Sequence, residues 1–264
     1  MDRVDVDGLG IAFRRAGTGP ALLLLHGAFS DHREWNRQWD AFTAEYTTVA
    51  WDAPGCGESD NLPDEPFGLD RWADTLAGFL QALGVDQPHV LGLSLGSVLA
   101  LGLYDRHPHC ARSLVLASAY AGWAGSLSPA EVQQRIRQTL RDLERPPEDV
   151  ARDFVATLFP PDAPPALVDE QILMITQARP QTTRALIRDL GPVDLRPALH
   201  RISVPTLLLY GDADVRAPLP VAAALHTAIP GSQLVRLPQL GHCGHLQAPK
   251  RWNDAVLTFL RQQN

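Results

Sequence analysis

Two five-residue runs, Ala21-Leu22-Leu23-Leu24-Leu25 and Thr206-Leu207-Leu208-Leu209-Tyr210, contain no charge and no alternation of polar with apolar residues. A strand with one wet face alternates. Continuous apolar runs of this length instead require burial on both faces, as in a parallel sheet covered by helices. Thr47–Trp51, His89–Leu93, Leu114–Ser118 and Gln233–Leu237 add further candidate strands. Arg3–Asp7 and Ile11–Arg15 alternate better and lie close together, which predicts an antiparallel hairpin at the sheet edge. Helical periodicity separates the strands. Leu69–Leu83 sets Trp72, Leu76, Phe79, Leu80 and Leu83 on one face and stops at Gly84, and Arg251–Arg261 does the same with Trp252, Val256, Phe259 and Leu260. Eight strands alternating with helices predict an α/β fold with a mostly parallel sheet.

The rhythm breaks once. Between Gly122 and Arg201 there is no strand pattern, only helical runs at Pro129–Leu143, Pro147–Leu158, Ala166–Gln177 and Thr182–Leu190. These are punctuated by Pro146-Pro147, Pro160-Pro161, Pro164-Pro165 and Pro180. We expect a helical cap at residues 122–201 inserted into a core made of residues 1–121 and 202–264.

Composition excludes several functions. The formal charge is −7 and no basic run occurs, which argues against a nucleic-acid partner. Lys250 is the only lysine against 22 arginines, and it opens a helical run after Pro249, so Schiff-base and phosphate-loop chemistries have no suitable residue. Cys56, Cys110 and Cys243 are widely spaced, without a CxxC pair. With a charged start and no apolar stretch long enough to span a bilayer, the sequence reads as cytoplasmic, with no membrane partner.

The chemistry is concentrated in Gly92-Leu93-Ser94-Leu95-Gly96, between the strand His89–Leu93 and the helical run Gly96–Tyr104. A sharp strand-to-helix turn projects a serine oxygen, and its small neighbours let the backbone close up. Such a nucleophile needs a base, and the base a carboxylate that orients it. Asp212 and Asp214 follow the strand Thr206–Tyr210, while His242 and His245 follow Gln233–Leu237. All four are candidates, since α/β sheets gather their sites at the carboxyl ends of strands. After Ala21–Leu25 comes His26-Gly27-Ala28-Phe29, where a glycine turn aims the Ala28 N–H, together with that of Leu95, at a developing oxyanion. His26 precedes the turn and reads as structural. Cys243 reads as a small packing residue, and His107-Pro108-His109-Cys110 as a helix end rather than a metal site.

Taken together, His26-Gly27, Asp52-Ala53-Pro54-Gly55-Cys56-Gly57-Glu58-Ser59, Gly92–Gly96, Gly211-x-x-Asp214-x-x-x-Pro218 and Gly241-His242 resemble the α/β-hydrolase superfamily over essentially the whole chain. The resemblance implies Asp214 as the acid, His242 as the base, Asp212 as a turn residue and His245 as a supporting or packing residue. It also implies that the glycines of Asp52–Ser59 are structural. Many members carry a second glycine where this chain has Ser97. Relatives that open epoxides or dehalogenate use an aspartate nucleophile, so Ser94 argues against both. Cys56 in its turn is similar to proline iminopeptidases, whereas Gly-Leu-Ser-Leu-Gly is closer to small carboxylesterases and enol-lactonases.

These features predict a serine hydrolase of a small ester or lactone, with Ser94, His242 and Asp214 catalytic and no metal or organic cofactor. Phe29, Trp123, Phe154, Phe159 and Met174 are the expected pocket residues. Alternatives on the same residues are an aminoacyl amide hydrolase using Glu148, Asp149 or Asp153 to hold an amine, a carbon–carbon bond hydrolase, a perhydrolase, and a slow-turnover ligand receptor.

Overall fold

The computed structural model describes residues 1–263. Its eight strands are β1 (Asp2–Val6), β2 (Leu9–Ala16), β3 (Ala21–Leu25), β4 (Thr47–Trp51), β5 (His89–Leu93), β6 (Ser113–Ala117), β7 (Thr206–Gly211) and β8 (Gln233–Leu237). They form one sheet in the order β1-β2-β4-β3-β5-β6-β7-β8. β1 and β2 pair antiparallel, as do β2 and β4, and every later pair is parallel. The expected edge hairpin is present, and each expected strand lies within two residues of its observed ends.

Alternate residues of the apolar runs feed two separate cores. Leu23, Leu25, Val90, Leu114, Leu116, Leu208 and Tyr210 point to one face. There they meet Trp72, Leu76, Phe79 and Leu80 of α2, which follows the short α1 (Trp39–Thr43) and spans Gly68–Ala82. α3 (Leu95–Arg106) packs on the same side. Leu22, Leu24, Leu91, Leu93, Val115, Leu207 and Leu209 point to the other face, against Trp35, Trp39, Phe42 and the last helix, which buries Trp252, Val256, Phe259 and Leu260. Burying one such leucine fully stabilises the fold by ~1.5–3 kcal/mol, so a polar residue at any of these positions would be costly on either face.

Between β6 and β7 the chain makes only helices: α4 (Pro129–Asp142), α5 (Pro147–Val155), α6 (Pro165–Thr176), α7 (Pro180–Leu190) and the short α8 (Arg196–Leu199). The first four each begin with proline, whose missing N–H costs nothing in a first turn that has no acceptor for it. Ser128 adds a capping box to α4, accepting the Glu131 N–H while the Glu131 carboxylate accepts the Ser128 N–H. The segment is tied to the turn after β4. Arg179 donates to the carbonyls of Gly57 and Ser59 and to Asn61, Thr182 donates to the Gly55 carbonyl, and Asp189 accepts the Phe67 N–H. After β7 come α9 (Leu219–Ala228), then β8, α10 (Gly244–Gln247) and α11 (Pro249–Leu260). Among the described residues no helix is long and apolar enough to cross a membrane.

Candidate active site

Ser94 sits between β5 and α3 with φ 51° and ψ −108°, a backbone that a non-glycine residue adopts only under constraint. Its neighbours supply the constraint. The Ser94 N–H donates to the Ala117 carbonyl at 2.9 Å, and its carbonyl accepts both the Ser97 N–H at 3.0 Å and the Ser97 hydroxyl at 2.5 Å. A Cβ on Gly96 would lie 2.1 Å from the Leu25 carbonyl oxygen, and one on Gly92 2.3 Å from that of Gly96. Only glycine lets the turn close this tightly against β3. Ser97 is buried and tethers the elbow through its hydroxyl.

Asp214 follows β7 and is buried. Its Oδ1 accepts the N–H groups of Arg216 and Ala217 at 2.8 and 2.9 Å. His242 Nδ1 lies 3.0 and 2.9 Å from the two carboxylate oxygens. Burial alone would raise the Asp214 pKa, but the His242 imidazole and these N–H donors outweigh it and hold the carboxyl below its ordinary range. The Ser118 hydroxyl donates to the His242 carbonyl at 3.0 Å, fixing the loop that carries the imidazole. Asp212 is exposed and accepts the Gln239 N–H, a turn contact away from this cluster.

Ser94 and His242 line one cavity of ≈ 340 Å³, together with Gly27, Ala28 and Leu95. Among the described residues neither the Ala28 nor the Leu95 N–H has an acceptor, and both residues line the cavity. His26 is buried behind this loop, taking the Ala53 N–H on Nε2 and donating from Nδ1 to the Gly27 carbonyl. Glu34 supports the same loop from the cavity wall by accepting the Gly27 N–H at 2.7 Å. Burial pushes its carboxyl up to about 7. His245 packs between Trp35 and Trp252, away from the cavity lining.

Of the expected pocket residues, Phe29, Trp123 and Phe154 line the cavity, the first and last as an edge-to-face pair at 4.8 Å. Phe159 does not. It packs in the apolar cluster of Val155, Leu158, Leu167 and Leu246, against which the cavity-lining Phe29 and Phe154 rest. Met174 faces a neighbouring recess, where its sulfur accepts the Ser30 hydroxyl at 2.9 Å. Phe159 lies in the turn after α5 and Met174 in α6, and apolar character alone does not say whether a side chain lines the cavity or packs beside it. Glu148, Asp149 and Asp153 are also absent from the cavity wall, and Asp153 pairs with Arg145. Arg135, Arg216 and Tyr120 are present there instead.

Asp31, His32 and Asp52 lie within 4.8 Å of one another, yet Asp52 Oδ1 accepts the His32 N–H, its Oδ2 accepts the Glu58 N–H, and Asp31 is bound by Arg33. His107 Nε2 lies 2.7 Å from Asp74 Oδ1. Burial pushes the Cys243 thiol well above its usual range, as expected of a packing residue.

Comparison with known proteins agrees with this architecture. The model of the alpha/beta hydrolase family matches residues 22–255. The pimeloyl-[acyl-carrier protein] methyl ester esterase of Aromatoleum aromaticum is 30% identical over 246 residues, covering 88% of this chain and 94% of that protein. A 2-hydroxy-6-oxononadienedioate/2-hydroxy-6-oxononatrienedioate hydrolase of Burkholderia vietnamiensis is 29% identical over 268 residues, covering 96% and 92%. The solved structure of a thermophilic esterase from Thermogutta terrifontis superposes with a TM-score of 0.90 at 27% identity, covering 100% of this chain and 99% of that one. A family match over most of the chain, on an eight-stranded sheet of this topology and with relatives named for hydrolytic reactions, makes this chain a hydrolase of the alpha/beta hydrolase family.

Proposed function

We propose that the protein is a serine hydrolase that cleaves a small carboxylic ester or lactone through an acyl-enzyme, with residues 122–201 as a cap over the site. One observation carries this reading: the His242–Asp214 pair faces the same cavity as the constrained Ser94 turn and the two unpartnered N–H groups. In that arrangement Asp214 holds the Nδ1 proton, leaving His242 Nε2 to take the proton from Ser94 Oγ as the oxygen attacks the carbonyl carbon. The carbonyl electrons move onto oxygen, where the Ala28 and Leu95 N–H groups hold the charge. Collapse breaks the bond to the leaving oxygen, which takes the proton from His242. Water, deprotonated by His242, then releases the acid. Esterase names among the relatives support ester chemistry, and the apolar lining from Trp123, Phe154 and Leu190 suits a largely hydrophobic substrate.

Intact-mass analysis after fluorophosphonate treatment tests the assignment. A single adduct is expected on the wild type and none on Ser94→Ala or His242→Ala. A wild type that stays unlabelled and inactive on short esters and lactones would sink it.

A further inference from the structure

Among the described residues, the cavity wall holds two cations that form no ion pair with a carboxylate. Ten other arginines reach an acidic partner, mostly at the solvent-exposed surface. Arg216 and Arg135 do not, although both lie in the cavity, where a charge is dearest to leave unpaired. Arg216 is held over the Phe154 ring, its guanidinium carbon 4.3 Å from the centroid, and donates to Thr157 Oγ1 at 2.9 Å. Arg135 spans the faces of Tyr120 and Trp123, donating to the Tyr120 hydroxyl and to the Arg216 carbonyl. All these partners are neutral. Each fixes a guanidinium in place without an ion pair; the two like charges oppose one another, and Asp214 favours the Arg216 charge only from beyond ion-pair range.

The acids lining the cavity do not answer them. Asp142 is engaged by Arg145 and Gln138, and Glu34 is committed to the Gly27 N–H on the far wall. Asp214 is not part of the cavity lining and is bound to His242 and the backbone. We propose that Arg216 and Arg135 form an anion subsite, and that the substrate is an ester bearing a free carboxylate, such as a half-ester of a dicarboxylic acid. A planar carboxylate suits the guanidinium fork, and the aromatic rings that line the same cavity accommodate an apolar spacer. The substrate class rests on the assignment of Ser94 as nucleophile; the subsite itself does not.

The test compares kcat/KM for p-nitrophenyl hemiesters of glutaric and adipic acids with their ω-methyl esters, which match them in length without the charge. A second pair places the carboxylate on the alcohol side, as butyryl esters of hydroxybenzoates against their methyl esters. The charged member of one pair is expected to be preferred roughly tenfold to hundredfold, with the ratio collapsing in Arg216→Gln and Arg135→Gln and partly kept in Arg216→Lys. Monomethyl glutarate should bind Ser94→Ala in calorimetry, and more weakly once Arg216→Gln is added. Equal or reversed preference in the wild type overturns the subsite, as does a preference indifferent to both arginine changes. Arginine-dependent binding without any fluorophosphonate adduct would uphold the subsite and remove only the nucleophile.

Discussion

His245 Nε2 stands 3.7 Å from Glu34 Oε1, with both side chains buried beneath the loop that carries Ala28. That separation is too long for a hydrogen bond. Burial drives the two toward their neutral forms, raising Glu34 to about 7 and lowering His245 to about 3. The contact is therefore between a carboxylic acid and a neutral imidazole over most of the acid range, and it is no ion pair.

Opposite slopes of stability with pH follow. Glu34 binds its proton more tightly folded than unfolded, so its contribution is complete below about 4.5 and is lost as pH rises through about 7. His245 binds its proton less tightly folded, so its contribution is complete above 6.5 and is lost as pH falls toward about 3. Between 4.5 and 6.5 the two slopes, each about 1.4 kcal/mol per pH unit, offset one another in the wild type. Glu34→Gln keeps an acceptor for the Gly27 N–H and removes only the Glu34 slope. Urea unfolding across pH 4–8 should show the variant gaining on the wild type by about 3 kcal/mol as pH rises. A stability difference that does not change with pH would refute it.

Ser97→Ala deletes the hydroxyl that donates to the Ser94 carbonyl while leaving two backbone N–H groups on that oxygen. The expected cost is about 1 kcal/mol of stability, the ordinary worth of one hydrogen bond. Because the constrained Ser94 turn loses a tether, kcat should fall severalfold with KM little changed. Steady-state kinetics and thermal unfolding on the same preparation separate the two effects. A change confined to KM would assign Ser97 to substrate binding instead.

The sheet was legible because burial on both faces writes itself as uninterrupted apolar runs, and Leu22–Leu25 divides residue by residue between the two cores. The inserted helices were legible from Pro147, Pro165 and Pro180, which mark first turns. Strand order was not, because β3 and β4 exchange places through loops whose sequences carry no record of which neighbour they reach. In the site, glycine turns after strands point to Ser94, to Asp212 or Asp214 and to His242 or His245, and only the family resemblance favours Asp214 and His242 over their neighbours. Glu34 and Arg135 were missed because each sits in a polar stretch that reads as solvated surface, and Arg216 because a lone arginine on a loop reads the same way. What buries them is tertiary packing from elsewhere in the chain. The one local signal was Arg216 lying two residues after Asp214, on the same strand-end loop.

Arg179→Ala should loosen the inserted helices without unfolding the core. The guanidinium bridges α7 to the turn after β4 through Gly57, Ser59 and Asn61, so its removal frees three acceptors at once. Amide exchange in residues 180–190 is expected to quicken while β5 and β7 stay protected. Uniform quickening across both would mean that the segment and the sheet open as one unit.

Asp214→Asn separates the charge of this residue from its shape. The asparagine oxygen can still accept the Arg216 and Ala217 N–H groups, so the loop after β7 keeps its form. Its amide NH₂ then faces His242 Nδ1, where the wild type has a carboxylate. An NH₂ cannot accept the Nδ1 proton, so the imidazole places its proton on Nε2, the nitrogen needed to receive the Ser94 proton. Turnover should fall by roughly 10³–10⁴ at neutral pH, while the fold and ligand binding persist. Fluorophosphonate labelling should slow in parallel, because it needs the same deprotonated Nε2. Near-normal labelling and turnover in Asp214→Asn would show that His242 does not depend on Asp214 for its tautomer, and another group would have to orient the base.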